Sequence, residues 1–192
     1  MTIDELLEKY RAEESSTHGL GTKFEQLMKN FMRTYPAYRG KFSDVWLWNE
    51  FPFRAELGGN DLGIDLVAKT FDGKFWAVQC KFYSDTTPIN KATVDTFIAT
   101  SGKTFGGKIF SARIWISTSD NFTDNAEITL QNQTPPVTRI TLEDLRNAEV
   151  DWEKLDAGKF GAEAAPKKFC AIIKLPPSIK RTNIFKRTTA EN

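Results

Sequence analysis

Residues 63–83 read GIDLVAKTFDGKFWAVQCKFY, and this stretch constrains the fold more than any other part of the chain. Two apolar runs flank an Asp-Gly pair, the strongest short-range signal for a hairpin. The pattern predicts antiparallel strands over about 63–69 and 75–83. Because successive strand residues point to opposite faces, Trp76, Val78, Cys80 and Phe82 form one apolar face, and Gln79 and Lys81 share the other. On the first strand Asp65 alternates with Ile64, Leu66 and Ala68. The hairpin can therefore bring Asp65 beside Gln79 and Lys81. Isolated polar groups in such runs are costly to bury. Either they satisfy one another, for instance as a buried Asp65–Lys81 ion pair, or they face a metal ion and a substrate.

The rest of the chain supplies layers for such a sheet. Ile3, Leu6, Leu7 and Tyr10 recur at helical spacing and predict a helix over 2–13. The polar run AEESSTHGLG breaks it, and a second helix is expected over about 22–34, with Phe24, Leu27, Met28 and Phe31 buried and Thr22 and Glu25 as a capping box. DVWLWNEFPFRAEL reads as an aromatic strand whose Trp46, Trp48, Phe51 and Phe53 belong to the core. INKATVDTFIATSG reads as a helix capped by Asn90 and ended by Gly102. ARIWIST and PVTRI read as strands, TDNAEITLQNQ as a helix, and TLEDLRNAEVDWEKL as one or two short closing helices. The fold class is α/β, a mixed central sheet flanked by helices. One domain is expected over 1–157, its core from about 20 to 157, followed by a basic tail or linker over 158–192.

A carboxylate, an amide oxygen and an ammonium at one sheet end suit phosphodiester hydrolysis. The two oxygens are hard ligands of the kind Mg²⁺ takes while keeping several waters. A nearby lysine can position or deprotonate a water and stabilise developing charge. Asp61-Leu62-Gly63-Ile64-Asp65, then the hairpin, then Gln79-Cys80-Lys81, resembles the Mrr-like branch of the PD-(D/E)xK nuclease superfamily, in which glutamine commonly replaces the acid of the (D/E)xK element. GTKFEQLM, VWLWNEFPFR, GIDLVA, AVQCKFY, DTFIATSGK and VDWEKL further resemble the N-terminal nuclease domain of single-polypeptide Type I (Type ISP) restriction-modification enzymes and related predicted helicases. The resemblance implies a restriction-endonuclease-like fold and a Mg²⁺-dependent endonuclease, with Mn²⁺ as a substitute ion. Asp65 would be the metal-binding acid, Gln79 a second ligand through its carbonyl, and Lys81 the catalytic lysine. Glu25 would be an added acid from the first core helix, and Asp61 either a further metal-site acid or a loop cap. It also implies helicase and methyltransferase domains in the same polypeptide, with 158–192 leading toward a missing or altered helicase domain, and pairing of two nuclease domains on DNA.

The formal charge of the 192 residues is only +1. A free-standing DNA binder usually carries a basic surplus, so DNA capture is expected to depend on other domains. Lys103, Lys108 and Ser119 are candidate DNA contacts, although Ser117-Thr118-Ser119 reads first as a helix-entry turn. SGKTFGGK ends like a phosphate-binding loop but lacks its first glycine and the preceding strand, so nucleotide binding is rejected. His18, the only histidine, lies in a polar stretch and supports no zinc or triad role. No apolar run approaches the roughly 20 residues that span a bilayer, and the acidic start is no secretory signal. Cys80 and Cys170 lack metal-ligand spacing. A reduced cytoplasmic protein is expected, with Cys80 an inert core thiol. Two alternatives keep the fold: a catalytically silent DNA-binding or assembly domain, and a junction-resolving nuclease.

Overall fold

The computed structural model describes residues 1–59 and 63–159. The Asp-Gly signal produces its hairpin: β2 (Leu66–Thr70) and β3 (Phe75–Lys81) pair antiparallel, with Leu66 opposite Val78 and Lys69 opposite Phe75. Gly73 takes φ 84° in the turn, a conformation that costs glycine little. β1 (Phe42–Leu47) adds antiparallel to β2, while β4 (Phe110–Ser117) and β5 (Val137–Ile140) add parallel to β3 and β4 in turn. The five-stranded mixed sheet thus runs in the order β1-β2-β3-β4-β5.

Strand alternation divides the core in two. On one face Leu66, Ala68, Val78, Cys80, Ile114 and Ile116 meet α1 (Ile3–Glu13), α2 (Thr17–Thr34), α6 (Leu142–Arg146) and α7 (Trp152–Asp156). On the other, Val67, Ala77 and Trp115 meet α4 (Lys91–Ser101) and α5 (Asp124–Leu130). The short α3 (Pro36–Arg39) leads into β1. Among the described residues no helix is long and apolar enough to cross a membrane.

Two expectations are corrected. The second helix begins at Thr17, not near Thr22, because Ser16 caps it by accepting from the Gly19 N–H at 3.0 Å. Gly19 and Gly21 weaken the helical signal, yet Gly19 suits the packing: a Cβ there would overlap the Glu14 carboxylate, which accepts from both the N–H and the hydroxyl of Ser16 at 2.9 Å. Thr22 then lies inside the helix and donates to the His18 carbonyl at 3.1 Å, so Thr22 and Glu25 form no capping box, and His18 sits exposed in the first helical turn rather than in a loop. Second, the aromatic run is strand only to Leu47. It continues as two 3-10 turns, Trp48–Glu50 and Arg54–Leu57, that lay Phe51 and Phe53 against Phe75 and Phe105 with ring centroids 5.4–6.3 Å apart. These rings are packing partners, as the aromatic composition suggests.

The N-terminal helix is integral to this core, since Ile3, Leu6, Leu7 and Tyr10 are all buried. Truncating fully buried Leu6 to alanine is expected to lower unfolding stability by about 2–5 kcal/mol, measured as a shift in the urea midpoint at constant slope.

Candidate active site at the parting of two strands

The β2–β3 ladder ends where the chain before Leu66 turns away at Gly63, which adopts φ 81°. Asp65 stands at that parting. Its main chain is fully engaged: its N–H donates to the Val78 carbonyl at 2.9 Å, and its carbonyl accepts from Trp48 N–H at 2.7 Å. The next inward-pointing N–H of β3, that of Cys80, has no strand opposite it and donates instead to Asp65 Oδ2 at 2.7 Å. The same oxygen accepts from the side-chain amide of Gln79. A carboxylate has thus replaced the ladder, as a buried N–H without a strand partner requires.

Asp65 is 7% exposed and Gln79 1%. Among the described residues Gln79 Oε1 is buried with no hydrogen-bond partner, as is Trp115 Nε1 on the neighbouring strand. Such an orphaned acceptor costs about 1–3 kcal/mol, and buried polar groups are so regularly paired that one left over calls for a cause. Gly63 supplies the room around it, since a Cβ there would come 3.3 Å from that oxygen, 3.0 Å from Thr96 Cγ2 and 3.1 Å from Phe97 N.

Lys81 closes β3, half-buried and on the strand face of Gln79. Glu25 lies mid-helix on α2, also half-buried. Both register at one neighbouring group. The Cys80 thiol is pushed well above its ordinary pKa, first by burial, then by the Asp65 and Glu25 carboxylates, while Lys81 pulls it down. The charges of Asp65, Glu25 and Lys81 therefore reach the same thiol at the end of β3. The structure brings Asp65 and Gln79 into contact; Lys81 follows on the strand face of Gln79, and Glu25 stands on α2, the helix that packs the Cys80 face.

The donor set suits a hard divalent cation. It offers one carboxylate and one amide oxygen that otherwise lacks a partner, leaving other coordination positions to water or phosphate. Among the described residues no three His, Cys, Asp or Glu side chains gather as a metal cluster. Asp61 lies outside the described residues, as does Cys170.

Other candidates fall elsewhere. Lys103 and Lys108 are exposed where β3 and β4 begin, whereas Gln79 and Lys81 lie where β3 ends. Lys103 donates to the Leu57 carbonyl at 3.4 Å, and Lys108 to the Gly106 carbonyl at 3.2 Å while lying over the Phe53 ring. Ser119 faces inward: it is 3% exposed, and its hydroxyl donates to the carbonyls of Thr87 at 2.9 Å and Asp85 at 3.3 Å. Its side chain ties loops together and is not presented to a duplex. Gly102-Lys103-Thr104 follows a helix and leads into β4, the reverse of a phosphate-binding loop. A separate cleft of about 360 Å³ is lined by Tyr10, Glu13, Lys23 and Asp156 among others. There Lys23 pairs with Glu13 at 3.0 Å and Tyr10 donates to Asp156 at 2.5 Å. Gly63 was not foreseen as a site residue, although a glycine directly before an apolar run holding one acid was the available signal.

Residues 33–162 match a family model described as restriction endonuclease. That span includes Asp65, Gln79 and Lys81 and leaves out Glu25. Among solved structures the chain is similar to the ATP-dependent Type ISP restriction-modification enzyme LlaBIII bound to DNA, with 28% identity and a TM-score of 0.62, over 88% of this chain and 10% of that one. It is also similar to the MspJI restriction endonuclease in complex with a 27-mer oligonucleotide, with 16% identity and a TM-score of 0.47, over 85% of this chain and 37% of that one. The chain therefore spans a tenth of the length of the first and little more than a third of the second. No curated protein matches it by sequence.

Gly63→Ala is expected to lower stability by about 1–3 kcal/mol, because it adds a left-handed backbone penalty to a close approach; chemical denaturation measures this. Cys80, raised and buried, is expected to resist alkylation at neutral pH until the protein unfolds, read by mass spectrometry of its peptide with and without denaturant.

Proposed function

The chain belongs to the restriction endonuclease family, and we propose that it is a Mg²⁺-dependent endonuclease module hydrolysing DNA phosphodiester bonds at Asp65, Gln79 and Lys81. The observation that carries this reading is the buried Asp65–Gln79 contact with its unpartnered amide oxygen. Asp65 and Gln79 would hold the ion, Mn²⁺ serving in place of Mg²⁺, with Glu25 and Asp61 as further ligand candidates. When bound, such an ion polarises the phosphate and lowers the pKa of a coordinated water.

The chain's own residues then divide the work. Asp65 keeps one oxygen on the Cys80 N–H, so its carboxylate is held in place while it binds. Lys81 Nζ donates to the attacking water or to a non-bridging phosphate oxygen, orienting the first and offsetting charge on the second. Water oxygen attacks phosphorus, and the bond to the leaving ribose oxygen breaks. Glu25 contributes a second carboxylate from α2. Two acids against one lysine repel a phosphate unless a cation is present, which makes the ion a condition of substrate approach.

A charge of +1 gives this module little grip on DNA alone. The reading therefore places it in a larger polypeptide, with helicase and methyltransferase domains delivering DNA, and has two modules meeting on one duplex to cut both strands. What supports this is the likeness to a tenth of an ATP-dependent Type ISP enzyme.

The test is conversion of supercoiled plasmid to nicked circles at high protein concentration with Mg²⁺ or Mn²⁺. Asp65→Ala and Lys81→Ala are each expected to lower the rate by about 100-fold or more, and Asp65→Ala is expected to keep its binding to labelled duplex. Chelation should abolish cleavage. Wild-type rates in Asp65→Ala would overturn the assignment.

A further inference from the structure

The Ser117-Thr118-Ser119 run, which the proposed chemistry does not use, lies directly beside the chain that leaves Lys81. These three residues are 1%, 1% and 3% exposed, and all three hydroxyls donate to backbone carbonyls: Ser117 to Ser119, Thr118 to Tyr83, and Ser119 to Asp85 and Thr87. Thr118 is the central member. Its N–H donates to the Lys81 carbonyl at 3.0 Å, one step beyond the last β3–β4 pair, Lys81 with Ser117. Its hydroxyl donates to the Tyr83 carbonyl at 2.7 Å and accepts from the Tyr83 N–H at 2.8 Å. A hydroxyl can do both at once, so one side chain replaces both bonds that a further strand residue would have made.

Lys81 is thereby held from both sides. The residue before it is pinned where Cys80 N–H meets Asp65, and the peptide after it where its own carbonyl meets Thr118. The strand end would otherwise be the first part of the ladder to fray. A long, flexible lysine side chain delivers its ammonium to a fixed place only if its Cα is fixed. We propose that Thr118 is the positioning residue for Lys81, its hydroxyl locking the main chain that carries the ammonium to the substrate phosphate. The proposal rests on the nuclease reading given above. Ser119 and Asn121 extend the same brace, with Asn121 Nδ2 donating to the Thr86 carbonyl at 2.9 Å.

Thr118→Val keeps the shape and removes the hydroxyl; Thr118→Ser keeps the hydroxyl. Both are compared with the wild-type chain in plasmid nicking and in amide hydrogen exchange at Tyr83. Thr118→Val is expected to lower kcat by about 10- to 100-fold with KM for DNA little changed, the size of loss that follows a misplaced catalytic group. Tyr83 should lose its exchange protection in the same variant, and Thr118→Ser should restore both. An unchanged kcat in Thr118→Val, or an equal loss in Thr118→Ser, overturns the proposal. If the wild-type chain alone nicks no DNA with either ion, that result counts against activity of the isolated module and not against the brace. The brace is then judged by exchange alone: protection lost in valine and kept in serine upholds it, and protection unchanged in both overturns it.

Discussion

The interaction on which this architecture turns is the bond from Cys80 N–H to the Asp65 carboxylate. Where β2 leaves β3, a buried amide would be left without a partner, and a side chain takes the place of the missing strand. That substitution fixes a carboxylate in the plane of the sheet, at the rim where both strands end. Gln79 and Lys81 then follow from strand alternation, since both lie on one face of β3 and the register that sets Leu66 opposite Val78 carries Asp65 to Gln79. A structural necessity and a candidate metal-binding group are the same atom set.

The surrounding layers make this rim rigid. The face of Cys80 is packed by α1 and α2, and the face of Ala77 by α4 and an aromatic cluster, so β3 is clamped along its length. Parallel pairing with β4 brings Thr118 to the end of β3, where its backbone and hydroxyl continue the order past the last strand residue. Fixed main chain on each side of Lys81 is what a catalytic side chain needs if its reach is to be reproducible. A net charge of +1 agrees with the proposed reading, in which capture of the polyanion falls to other domains.

Much of this was legible residue by residue. Asp72-Gly73 announced the hairpin, and the period of two in 75–83 separated Cys80 from Gln79 and Lys81 before any coordinates were needed. Other features were obscured for identifiable reasons. Gly19 and Gly21 hid the first turn of α2, because intrinsic propensity sees their entropy cost and not the Ser16 cap that starts the helix before them. Phe51 and Phe53 looked like strand because aromatic residues favour sheets, whereas packing against Phe105 curls that segment into 3-10 turns. Ser119 was a plausible surface hydroxyl in the sequence, and its inward direction depends on carbonyls more than thirty positions away.

What the sequence by itself determined was local: which residues of β3 alternate, where the chain reverses, and that the amide of Gln79 and the amine of Lys81 share a strand face. These follow from backbone geometry and from the cost of burying polar groups, both written in consecutive residues. Only the tertiary structure decided that Gln79 keeps an amide oxygen unpartnered, that Gly63 must remain small against Thr96 and Phe97, and that Thr118 secures the far side of Lys81. Those outcomes depend on which strands lie side by side and how closely, and such neighbours are chosen by the packing of the whole core.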